Sequence, residues 1–146
     1  MKLAILATTA LISTVLYSAP VKAENPAHVK QLIETRECQG CDLSGADLSG
    51  THLIGADLRD ADLTAANLKN ANLEGADLTG ANLQKANLTK VFASDASLAN
   101  TNLVGVNFTG AKLYSADLDG ASLVGANFKN AKLYGADLSR FGIKVD

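Results

Sequence analysis

An all-β solenoid, wound as a β-helix and closed at its start by a short N-terminal capping α-helix, is the fold this chain predicts. Three observations carry that reading. From Cys41 to Arg140 one five-residue sentence recurs in frame for about twenty blocks: a small residue, Asp or Asn, Leu, then two variable positions. Ten of the twelve glycines close a block. Leu103–Leu118 (LVGVNFTGAKLYSADL) is echoed twenty residues later by Leu123–Leu138 (LVGANFKNAKLYGADL).

The period excludes a helix. Residues five apart on an α-helix differ by ~140°, so these leucines would wind around the whole surface and no face could be buried. Within a block the small residue and the leucine are two apart with a polar residue between them, the in-out-in alternation of a very short strand. The last two positions are then the corner, where glycine serves a tight turn. The twenty-residue echo sets four blocks per coil and about five coils, stacking Phe108 on Phe128, Lys112 on Lys132, Tyr114 on Tyr134 and Val104 on Val124. A tandem duplication would leave the same echo.

Residues 1–23 read as a secretory signal: Lys2, an apolar run from Leu3 to Leu16, and Val21-Lys22-Ala23 as a cleavage site. The rival, an uncleaved membrane anchor, asks for ~20 apolar residues, more than this run supplies. Cleavage changes the formal charge from −2 to −4, eleven basic against fifteen acidic side chains. That balance lacks the basic stripe of a nucleic-acid binder, so no nucleic-acid partner is expected. Residues 24–40 form the cap and its Cys-x-x-Cys. Asn25 is the N-cap, Pro26 the first helical residue, and Val29, Leu32 and Ile33 the apolar side that covers the open first coil. The repeat occupies 41–140 and a tail 141–146, in which Phe141, Ile143 and Val145 either fold over the last coil or pair end to end with a second molecule.

Chemistry is sparse. Cys38 and Cys41 point inward beside the cap; in an exported protein this spacing reads first as a structural disulfide, with a redox pair and a partial metal site as rivals. Asp57, Asp77, Asp117 and Asp137 share one face with Ser97 between them, a stripe that invites a cation or simply fills the repeat position. Asn67, Asn87, Asn107 and Asn127 form an amide ladder on the next face. Neither His28 nor His52 has a nucleophile placed beside it, so no catalytic residue, metal or cofactor is expected. Tyr114 and Tyr134, with Val104 and Val124 on the opposite face, are the candidate partner surface; exposed cross-strand pairing is the alternative. One block breaks the rule: in Val91-Phe92-Ala93-Ser94-Asp95, Phe92 is expected to turn inward through a bulge and fill the space a leucine would take.

The pattern resembles the pentapeptide-repeat family over essentially all of Cys41 to Arg140. That resemblance implies a right-handed quadrilateral β-helix. Signal-bearing members, with a Cys-x-x-Cys just before the first blocks, resemble this chain most and look like periplasmic or thylakoid-lumen proteins of cyanobacteria. The expected function is therefore a non-enzymatic exported scaffold for an unknown protein partner, in the periplasm, thylakoid lumen or extracellular space, without stable membrane insertion after cleavage. The alternative is a DNA-mimicking modulator of DNA gyrase or topoisomerase, as some cytoplasmic relatives are, usually as dimers joined at their C-terminal ends. The export signal, the mild charge and Lys112 and Lys132 all depart from that second pattern.

Overall fold

A computed structural model describes residues 24–136 and 138. The chain begins with helix α1 (Pro26–Thr35), whose N-cap Asn25 accepts a 3.1 Å hydrogen bond from the Ala27 N–H through its side chain. It ends at Arg36, which takes a left-handed conformation at φ 61° and donates its N–H to the Leu32 carbonyl. Leu32 is fully buried and Val29 packs against the core, but Ile33 is 55% exposed, a correction to the expected apolar side. The side that docks runs through His28, Val29 and Leu32 instead, with His28 Nδ1 accepting the Asp42 N–H at 3.0 Å. Ile33 lies ~100° around the helix from Leu32 and so turns outward.

Beyond α1 the chain winds as a β-helix solenoid. Parallel bridges pair every second-position residue with the one twenty residues on, from Glu37↔Asp57 through Lys112↔Lys132. The coil register thus starts at Glu37, one block before Cys41, and puts Cys38 in the leucine column. Each block contributes one isolated bridge rather than a strand, because a corner follows after every third residue.

One block shows why the pattern works. Ala66 donates to the Leu63 carbonyl across the corner, Asn67 to Ala46 one turn back, Leu68 to Asn87 one turn on, and Asn70 to Thr89 one turn on. The remaining N–H, on Lys69, is taken by the Asn67 side-chain oxygen. All five donors of a five-residue block are therefore satisfied, which a buried backbone requires. Every described Asp or Asn at the second position from Asp42 to Asn127 accepts from the N–H two residues on in this way. The repeat's acid or amide is a corner brace as well as an outward side chain.

The fifth position is left-handed throughout the described blocks, with φ from 53° at Ser115 to 80° at Gly135. Inside, the alanine and leucine columns pack with almost no exposure until the last described turn, where Leu123, Ala126, Phe128 and Ala131 are half-buried. Phe108 stacks on Phe128 at 5.0 Å between ring centroids, as the echo predicts. Phe92 does not turn inward. It is 42% exposed and bridges Asn72 and Lys112 in the outward column, while Ala93 holds the centre, 1% exposed, with its N–H on the Lys112 carbonyl at 2.8 Å. A bulge there would break the ladder on both sides. Val91, fully buried where most blocks have alanine, restores part of the volume that Ala93 gives up. The residues 1–23 and the tail residues Phe141, Ile143 and Val145, for which a signal and an end contact are expected, lie outside the described residues.

Candidate interaction surface

The cap meets the first coil at Cys38 and Cys41, which are joined by a disulfide and are 0% and 5% exposed. Asp57 and Asp77 stack as expected, but the column is not an open row of carboxylates. Arg59 donates from Nε to Asp57 Oδ1 at 2.8 Å and from Nη2 to Oδ2 at 2.5 Å, and lies 3.8 Å from Asp77. The guanidinium holds the Asp57 carboxyl below its usual range. Ser49 does the same for Asp47, whose column, the expected amide ladder included, stands two blocks around the coil on the opposite face rather than the next one. The expected amide ladder holds in its lower half, where Asn67 Nδ2 donates to Asp47 Oδ1 at 3.0 Å and Asn87 Nδ2 to Asn67 Oδ1 at 3.3 Å. At its top Asn127 Nδ2 donates to Thr109 Oγ1 at 3.2 Å instead of to Asn107. Among the described residues no group of three His, Cys, Asp or Glu side chains is arranged to hold a metal ion. No described helix is long and apolar enough to cross a membrane. His28 is committed to the cap and His52 lies exposed on the coil.

Exposed apolar side chains are the remaining feature. Tyr114 and Tyr134 occupy consecutive rungs of one corner column, linked by the Ser115 N–H on the Tyr134 carbonyl at 3.0 Å, and Tyr134 is 79% exposed. Val124 is 71% exposed two corners away, with Val104 half-buried on the preceding rung. The structure joins the tyrosines to residues the sequence reading did not group with them. Phe92, Lys112 and Lys132 follow one another in the outward column two residues before the tyrosine column, and Lys112 Nζ sits 4.5 Å from the centroid of the Phe92 ring. Ile54, 49% exposed, starts the same tyrosine column lower on the rod. Their signal was present in the sequence: His52, Phe92, Lys112 and Lys132 all stand where the repeat calls for Asp or Asn, and all are twenty or forty residues apart.

A parallel β-helix of leucine-centred pentapeptides with an acid-or-amide brace defines the class of protein. The sequence profile described as Pentapeptide repeats matches residues 41–80, 56–92, 76–113 and 94–130, and the chain belongs to that family, one of generally non-catalytic scaffolds. No curated protein matches the chain. Among solved structures it is similar to QnrB1, a plasmid-mediated fluoroquinolone resistance protein, at 27% identity and TM-score 0.56 over 73% of this chain and 65% of that one, just under two thirds of its length. It is also similar to a pentapeptide repeat protein, Rfr23, from the cyanobacterium Cyanothece 51142, at 27% identity and TM-score 0.43, covering 77% of this chain and 93% of that one. A pentapeptide repeat protein of the Arabidopsis thaliana thylakoid lumen matches at 34% identity and TM-score 0.40 over 74% and 72% of the two chains.

Proposed function

We propose that this protein is an exported, non-enzymatic pentapeptide-repeat scaffold, a right-handed four-sided coil of about five turns that binds or organises a protein partner outside the cytoplasm. The observation that carries the reading is the set of exposed apolar residues on a braced rod: Ile54, Phe92, Tyr114, Val124 and Tyr134. Surface of that kind on a framework with no orphaned buried side-chain donor or acceptor among the described residues suits a binding platform. The sequence of residues 1–23 and the Cys38–Cys41 disulfide support export, since disulfides persist in oxidising compartments.

Two measurements test it. N-terminal sequencing of the protein recovered from its host should begin at Glu24; an intact Met1 on protein recovered from the cytoplasmic fraction would overturn export. Crosslinking in the periplasmic or lumenal fraction should recover one stoichiometric protein partner. In this reading the disulfide ties cap to coil, so it should resist mild dithiothreitol while the protein is folded, and Phe141, Ile143 and Val145 cover the last turn. Light scattering that gives a dimer would instead assign those three to an end-to-end contact.

The likeness to QnrB1 favours one second reading, action on DNA gyrase by mimicry of DNA. Arg59 braced between Asp57 and Asp77, and lysines at 112 and 132, work against a continuous acidic surface. A gyrase supercoiling assay separates the two, scaffolding predicting no effect at micromolar protein.

A further inference from the structure

The geometry points to the face that carries Phe92, Lys112, Tyr114, Lys132 and Tyr134 as a docking surface for an extended acidic segment of a partner protein, an inference that rests on the partner-binding reading. Three features converge there. The outward column His52, Asn72, Phe92, Lys112, Lys132 contains no carboxylate on any rung. Phe92, Lys112 and Lys132 carry no oxygen acceptor, so three successive rungs give up the corner brace that all thirteen described Asp and Asn residues at the second position provide. The fold has no need of that exchange, since the same column keeps its brace at Asn72.

The cations are also uncompensated. Lys112 and Lys132 are bridged neighbours ~4.8 Å apart along the rod, like charges that repel. Among the described residues neither has an ion pair. Lys112 is held in place by the Phe92 ring, and the stem of Lys90 runs along Gly110 at the adjoining corner, adding a third positive charge to the edge. The tyrosines lie beside the lysines, two residues further along each block, where a ligand's apolar groups would rest.

Width selects the ligand. Beside the tyrosine column the second column of the same corner carries Gly75, Asp95 and Ser115, and Glu74 lies in the tyrosine column itself. A uniformly anionic membrane or a nucleic acid broad enough to reach the lysines would also meet Glu74 and Asp95. A single extended segment with alternating acidic and apolar residues can lie on the rungs of Lys112, Tyr114, Lys132 and Tyr134 and stop short of Glu74, two rungs below Tyr114, its alternate side chains ~6.6 Å apart.

The test uses a fluorescein-labelled glutamate–tyrosine copolymer as probe, with phosphatidylglycerol vesicles and an oligothymidine strand as competitors. At low ionic strength the copolymer should bind the protein, and the Lys112→Glu/Lys132→Glu double variant should weaken it at least ten-fold. Tyr114→Ala/Tyr134→Ala should weaken it several-fold, while Lys85→Glu, on another corner, should leave it within two-fold. Circular dichroism verifies that each variant is folded. Unchanged affinity in the lysine variant, or tighter binding of vesicles or oligonucleotide than of copolymer, overturns the inference. A photo-crosslinker at position 134 or 124 of the full chain, in cells, separates this from the broader reading. Capture of an acidic partner peptide at 134 supports the face; capture at 124 alone overturns it and leaves partner binding standing; capture at neither overturns both.

Discussion

At the scale of the residue, the second and fifth positions of each block decide local stability. The second supplies the acceptor for the one N–H that no carbonyl reaches, so replacing Lys132 by Asn should give Tyr134 N–H a partner and raise stability by about 1 kcal/mol. Urea unfolding of Lys132→Asn checks it, and a loss of stability would show that lysine is favoured there for packing. The fifth position must be left-handed, which glycine adopts freely and other residues adopt at a cost of ~1 kcal/mol. Gly55 sits at φ 64° with nothing within 4 Å of an added Cβ, so Gly55→Ala isolates that backbone cost, expected at about 1 kcal/mol of destabilisation. Ala65, already at φ 56°, reverses the sign: Ala65→Gly should be neutral or slightly stabilising in the same assay. The bracing role of Asp and Asn left its trace in the recurrence of those two types at the second position, but an outward polar side chain next to a corner reads equally as solvated filler, and only the structure shows the bond to the N–H two residues on.

At the scale of the element, the cap and the Asp57–Arg59–Asp77 cluster behave differently. Helix α1 was legible from Asn25-Pro26 and the spacing of Val29 and Leu32, but its docking side was not, since His28 is polar and its Nδ1 serves as an acceptor for the first coil. Leu32→Ala should cost 2–5 kcal/mol by opening a cavity under the helix, and hydrogen exchange should quicken first at Cys38 and Leu43. The acid cluster responds to pH. Asp57 has its folded pKa depressed, chiefly by the hydrogen bonds from Arg59, so its contribution is present above the ordinary value of 3.8 and is lost as pH falls through the lower folded value. Asp47 acts in the same direction through Ser49. Acid unfolding followed by circular dichroism should therefore begin below pH ~4, and Arg59→Met should move its midpoint upward, less so in high salt because the cluster is exposed.

At the scale of the whole molecule, each turn is held by its neighbours alone, since every inter-turn hydrogen bond spans about twenty residues. That is why the architecture could be read from the period and the Phe108–Phe128 echo, whereas the position of Phe92 could not. Its block departs from the leucine rule, and continuity of the ladder outweighed the one side chain's gain from burial. The Lys112–Phe92 contact was hidden with it, since the two share one repeat position twenty residues apart and meet only because Phe92 stays in the outward column. One-dimensional construction has a consequence for deletions. Removing residues 61–80 takes out one full twenty-residue period, leaving every remaining leucine inward, the cap on its coil and the Phe92–Lys112–Lys132 column aligned. That variant should unfold cooperatively with a lower Tm, because one set of nearest-neighbour contacts is gone. Removing only residues 61–62 shifts each following side chain by two places in a five-place frame, which sends leucines to corners and corner residues inward. It should show no cooperative thermal transition by circular dichroism. A sharp melt in the two-residue deletion, or none in the twenty-residue one, would mean that stability is not propagated turn by turn.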